Sequence, residues 1–262
     1  MKRFLPTFLL LLLPLTVNAQ DFDFNHAFQD YLYNYNLYRS SHLEYVSAKS
    51  EYLTYKTLTA QTKALEATQK MLLARAETLK TYLTALRMKL KETTGVLNYQ
   101  QNMYYLKLDN EVTWISSHET SLPSAATLDD LVKISQEAEK RYPTMEILAY
   151  QTLGTVMTGK EVTLRDKINE QISKTESKIN QIKEAGEDTT TLERWLIQAK
   201  EKIKRSEEKE KEAQNLLSGI KTTDKNKIQT WNKAQKAFEE ENQYLKEAVS
   251  YLKEILREIK SE

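Results

Sequence analysis

Between Phe22 and Thr93 the chain contains neither glycine nor proline. That gap constrains the fold more than any other feature, because tight turns are built largely from these two residues. The rest of the chain is almost as sparse. Beyond residue 20 the prolines are Pro123 and Pro143, and the glycines are Gly95, Gly154, Gly159, Gly186 and Gly219. A β-sandwich or α/β domain of this length would need many more turn formers. The expected fold class is all-α: an elongated helical bundle of antiparallel coiled-coil hairpins built on a long N-terminal helix.

The apolar pattern agrees. Phe24, Tyr31, Tyr38, Tyr45 and Tyr52 recur every seven residues, with Phe28 and Tyr35 on the same side. A seven-residue period returns a side chain to nearly the same helical face. Leu58, Leu65, Leu72, Leu79 and Leu86 form a second such line, with Ala76, Leu83, Leu90 and Leu97 beside it. Tyr52 and Leu58 are one residue short of a heptad apart, which predicts a shift of the contact stripe or a change of partner. Ala60, Ala67 and Ala74 make a small-residue line that admits a close neighbour. Unbroken, this helix would extend roughly 100 Å.

Further on, Thr94-Gly95 predicts a stop or kink, and Val96 to His118 reads as helix again. Ser121-Leu122-Pro123-Ser124 is a loop. Thr127 is placed to cap a helix whose first turn holds Asp129 and Asp130. That helix is expected to end near Tyr142, because proline disfavours helix in the residue before it. Residues 143–160 carry no single reading, since Gly154 and Gly159 interrupt an otherwise apolar run. Ile168, Ile172, Ile179 and Ile182 then share a face. Thr190-Thr191-Leu192-Glu193 fits a capping box. The line Leu192, Leu196, Ala199, Ile203, Ala213, Leu217 and Ile220 keeps helical spacing, with Ser206 and Glu210 as weak links. The last helix alternates three and four through Ile228, Trp231, Phe238, Leu245, Val249, Leu252, Leu256 and Ile259, with Gln235 and Asn242 at core-type positions.

Three segments follow: residues 1–19 as a signal peptide, 20–126 as a tyrosine-rich long-helix region, and 127–262 as a charged helical hairpin or coiled-coil region. Lys2 and Arg3 precede a short apolar run from Phe4 to Val17, and Val17-Asn18-Ala19 carries small residues where a signal peptidase cuts. The run is too short for a transmembrane helix and holds Pro6 and Pro14. Cleavage after Ala19, export to the periplasm or cell surface, and no transmembrane segment thereafter are expected. The chain has no cysteine, so packing alone must hold the fold. With 38 Lys and Arg against 37 Asp and Glu, it lacks the basic excess that nucleic-acid binding requires.

No catalytic constellation is legible. His26, His42 and His118 have no pair at the spacing that sets two ligands on one helix face. His118-Glu119 begins like a zinc-protease motif, but Leu122 stands where the second histidine belongs. The glycines are isolated, so no phosphate-cradling loop exists. The expectation is a chain that is not an enzyme and carries no metal or cofactor. The unusual feature is the tyrosine cluster. Tyr31, Tyr33, Tyr35, Tyr38, Tyr45 and Tyr52 form either a packing seam or an interaction surface, with Tyr33, off the heptad line, the best placed to be exposed.

The segment from Phe28 to Leu90, with Tyr-Leu-Tyr-Asn-Tyr-Asn-Leu-Tyr at 31–38 and Tyr-Leu-Thr-Tyr-Lys-Thr-Leu-Thr at 52–59, resembles uncharacterised exported helical proteins of candidate-phylum bacteria. That resemblance implies no known activity. In architecture the whole is similar to periplasmic helical-hairpin proteins: prefoldin-like chaperones of the outer-membrane pathway, or the coiled-coil hairpins of efflux adaptors. Three functions are expected to compete. The first is a non-enzymatic exported scaffold or protein-interaction module of the cell envelope, pairing with a protein partner or with itself through its heptad seams. The second is a periplasmic holdase-type chaperone. The third is a cell-wall or glycan-binding protein that uses the exposed tyrosines.

Overall fold

The computed structural model describes residues 22–261, and the predicted signal and its cleavage site lie outside them. The described chain is an elongated all-α bundle. Its helices are α1 (Phe24–Tyr55), α2 (Leu58–Lys91), α3 (Asn98–Glu119), α4 (Leu128–Glu184), α5 (Thr190–Ser218) and α6 (Lys227–Ser261).

The expected N-terminal rod is folded in half. Asp23 caps α1 by accepting from the His26 N–H at 2.9 Å. The helix then stops at Lys56, which takes left-handed backbone angles at φ 50° and donates its N–H to the Tyr52 carbonyl at 2.9 Å. Thr57 follows in extended conformation and caps α2 by accepting from the Ala60 N–H at 3.2 Å. The missing residue between the two heptad lines is therefore a turn, made without glycine.

The arms lie antiparallel. Lys63 pairs with Glu51 and Lys70 with Glu44 near the tip, and the Phe24 N–H donates to Glu92 at the open end. The buried seam is made of small side chains: Ala27, Ser41 and Ala48 on α1 meet a face of α2 that buries Ala60, Ala64, Thr78 and Ala85. Small residues bring the two backbones close. The heptad tyrosines therefore flank the seam instead of filling it.

Gly95, at φ 78°, turns the chain into α3. A capping box then opens α4: Thr127 accepts from the Asp130 N–H, and the Asp130 carboxylate accepts from the Thr127 N–H. Contrary to expectation, α4 does not end at Tyr142. It runs 57 residues straight through Pro143, roughly 85 Å. An internal proline costs a helix about 3 kcal/mol, since it removes one hydrogen bond and crowds the preceding turn. Here Met145, Leu148 and Ala149, just past it, are buried with Leu83, Leu86, Leu108 and Ile115 of α2 and α3. Met145 and Leu148 each contribute about 1.5–3 kcal/mol, enough together to outweigh the proline.

Gly154 and Gly159 do not break α4 either. Both mark close approaches. A Cβ on Gly154 would overlap Leu217 of α5, and one on Gly159 would lie 2.7 Å from the Thr94 carbonyl and 2.5 Å from Val96.

α4 packs on α2 and α3 as far as Leu153 and on the α5–α6 hairpin from Ile147 onward, so this helix joins both ends of the molecule. Much of the C-terminal core is the one read from the periodicity: Ile168, Ile172 and Ile179 against Leu192, Leu196 and Ile203, closed by Leu245 and Leu252. On the last helix Ile228 and Leu256 are exposed instead, and Ile255, off that line, is buried because its face of α6 packs against α4 and α5. The expected capping box at Thr190 is replaced. Asp188 accepts from the Thr190 N–H at 2.9 Å, and the Thr189 hydroxyl donates to Glu193 at 3.0 Å.

Candidate functional site

Both α1 and α4 pack along α2, but their backbones do not approach each other. The space between them is an open groove of about 740 Å³. Its α1 wall is Tyr31, Tyr35 and Tyr38, one helical stripe at four- and three-residue steps. Arg75, Thr78, Leu79 and Tyr82 of α2 form its floor. The α4 wall repeats the same spacing through Ser135, Ala138, Glu139, Tyr142, Glu146 and Tyr150.

Six tyrosines thus converge from three helices. The Tyr31 and Tyr82 rings lie 5.3 Å apart, and Tyr31 and Tyr35 6.0 Å apart. At one end Tyr150 stacks on Trp231 of α6 at 5.1 Å and donates its hydroxyl to Glu146 at 2.9 Å. Burial and that bond push the Tyr150 phenol up to about 12. Burial also raises Tyr31, Tyr82 and Tyr142 above the ordinary phenol range. All of them are neutral hydrogen-bond donors near pH 7. The hydroxyls of Tyr31, Tyr35, Tyr38, Tyr82 and Tyr142 have no hydrogen-bond partner among the described residues.

At the other end Arg75 donates to the Ser135 hydroxyl at 3.2 Å. No carboxylate of the described residues lies within the 4 Å of an ion pair with it. Burial lowers its guanidinium from the usual range, which Tyr38 and Glu139 only partly offset.

Of the six tyrosines singled out from the sequence, the structure brings Tyr31, Tyr35 and Tyr38 together in the groove. Tyr33 projects from α1 outside it, 65% exposed. Tyr45 is half-buried and packs, with Tyr38, against the cluster of Met71, Leu72, Leu122 and Leu131. Tyr52 is half-buried beside the hairpin turn. Sequence reasoning missed Arg75, Tyr82, Ser135, Tyr142, Glu146 and Tyr150. Their helical spacing on α2 and α4 was a usable signal, but nothing local says that these faces meet α1.

The histidines stand elsewhere. His118 stacks on Trp114 at 4.7 Å, and His42 lies between Tyr38 and Tyr45. Among the described residues no group of three His, Asp or Glu side chains could hold a metal ion, and no helix is long and apolar enough to cross a membrane. Compared with protein-family models, curated proteins and solved structures, the chain matches none.

Proposed function

We propose that this protein is a non-enzymatic, exported binding module of the cell envelope, a helical scaffold whose working surface is the tyrosine groove. The observation that carries this reading is chemical. Five phenol hydroxyls and a guanidinium without a counter-ion converge from three separate helices on one open groove. Tyrosine supplies broad contact area and a hydrogen bond at low entropic cost, the composition of a recognition surface. The groove lining holds no histidine, and its one serine, Ser135, is engaged by Arg75. Export rests on the charged, apolar and small-residue order of residues 1–19.

The test is retention of the purified protein on isolated envelope fractions. Wild type is expected to be retained and a Tyr82→Ala/Tyr142→Ala variant of equal helicity to be released. Equal retention of both overturns the proposal.

A holdase chaperone is the second reading. It is favoured by apolar side chains left uncovered around the α1–α2 tip, with Leu43 71% and Leu58 78% exposed. Suppression of client aggregation that is lost in Leu43→Ser/Leu58→Ser and kept in the groove variant would favour it over the groove.

A further inference from the structure

The walls of the groove narrow its ligand, on the reading that the groove is a binding site. They are all helix, so their backbone N–H and C=O groups are bonded within α1, α2 and α4. The Glu139 carbonyl is the exception, because Pro143 has no N–H to offer it. An extended peptide carries a donor and an acceptor on nearly every residue and is normally held by backbone pairing. This groove offers it side chains alone. A sugar ring needs only side chains. Its C–H face lies flat on an aromatic ring, and its hydroxyls exchange hydrogen bonds with phenols, carboxylates and water.

Arg75 adds a charge requirement. The protein pairs its other partly buried arginines: Arg87 with Asp109 at 2.8 Å, Arg141 with Glu111 at 2.8 Å, and Arg165 with Glu210. Arg75 has only the Ser135 hydroxyl. A partly desolvated guanidinium without a counter-ion is costly, and its planar fork of donors matches a carboxylate. The acidic side chain at the far end, Glu146, is already engaged by Tyr150 and lies 3.8 Å from Lys227. Glu139, one helical turn from Ser135 on the same wall, acts on Arg75 from a distance without pairing with it, so the guanidinium donors stay open to a ligand carboxylate.

We infer that the groove binds a carboxylated saccharide, its rings against the tyrosine faces and its carboxylate paired with Arg75. The experiment is calorimetric titration of the purified protein with oligomers of galacturonate, glucuronate and muramate, with the methyl esters of the same sugars, and with a Glu-rich peptide. At least one acid is expected to bind, and its ester to bind at least about tenfold more weakly. Arg75→Gln should bring the acid down to the level of the ester and leave the ester unchanged. Tyr82→Ala/Tyr142→Ala should weaken both. Circular dichroism confirms that each variant is folded. Equal binding of acid and ester, an Arg75→Gln variant that behaves as wild type, tighter binding of the peptide, or binding of none of the acids overturns the inference. Tyrosine-dependent retention on envelope fractions without saccharide binding would sink the ligand class and leave the binding-module reading standing. Loss of that tyrosine dependence would remove both.

Discussion

Glu241 of α6 is fully buried, and one of its carboxylate oxygens lies 3.3 Å from the Arg165 guanidinium of α4. Arg165 also pairs with Glu210 of α5, while Glu161 accepts from Asn242 at 3.0 Å. One arginine thus stands amid several acids. The other Glu241 oxygen has no partner. Burial, then Glu210 and Glu161, push its carboxyl up to about 8, and Arg165 only partly opposes them.

A pH dependence follows. In the unfolded chain Glu241 ionises near its ordinary value of 4.5, while in the fold it keeps its proton to about 8. The unfolded state alone gains by ionising between those limits. Stability contributed by this group is complete below that window, falls by about 1.4 kcal/mol per pH unit within it, and levels off above. Glu241→Gln keeps the shape and cannot ionise. Urea denaturation across the window is expected to show a flatter profile for the variant, which should be the more stable at the alkaline end. Parallel profiles would show that Glu241 ionises in the fold.

The two glycines of α4 differ in what faces them. An alanine at 159 meets the Thr94 backbone carbonyl at 2.7 Å, which cannot move without shifting the turn before α3. An alanine at 154 meets a terminal methyl of Leu217, a side chain that can rotate. Gly159→Ala should cost about 2–3 kcal/mol, despite alanine's better helix propensity, and Gly154→Ala distinctly less. Thermal unfolding decides the order, and a stabilised Gly159→Ala would contradict the close approach.

Lys56 holds a left-handed conformation that costs a non-glycine residue about 1 kcal/mol or more. Lys56→Gly relieves it and leaves the backbone bond to Tyr52 in place. The variant should be more stable by about 1 kcal/mol, less the added freedom of glycine in the unfolded chain. A lowered melting temperature would mean that the lysine side chain contributes at this turn.

Arg141 grips Glu111 with two bonds, 2.9 and 2.8 Å, and ties α4 to α3. Glu111 is nearly buried, whereas Arg141 is 40% exposed in its side chain. Losing the arginine strands a buried carboxylate, and losing the acid leaves a cation that can reach water. Arg141→Met is expected to cost about 3 kcal/mol and Glu111→Gln about half that. Chemical denaturation of the two variants gives the comparison, and the reverse order would refute it.

Much of this fold was legible. The helix start at Thr127 was readable as an N-cap, though that Asp130 closes a capping box with it was not. The weak links at Ser206 and Glu210 marked a polar layer, because a gap in an apolar heptad line needs a polar partner. Glu241 was equally visible on the line Ala234, Glu241, Ala248, Ile255, one step from the Asn242 that drew notice. Pro143 misled, because local propensity of a few kcal/mol is outweighed by the apolar surface buried on either side of it. Gly154 and Gly159 left the stretch open for a related reason. A glycine read locally is a breaker, but against a neighbouring helix it is a point of contact.

The tyrosine line shows the division most clearly. The sequence by itself determined that α1 is a helix, that a stripe of rings runs along it, and that its phase slips after Tyr52, since helical period and turn position are local properties of the chain. Only the tertiary structure decided that the slip is a turn, that Ala27, Ser41 and Ala48 form the seam, and that Tyr31, Tyr35 and Tyr38 face Tyr82, Tyr142 and Tyr150 across a groove. Those faces belong to helices far apart in sequence. They meet because close packing through small residues in the α1–α2 hairpin leaves the large rings outside the seam, and the burial of α4 against α2 and α3 sets its own tyrosines opposite them.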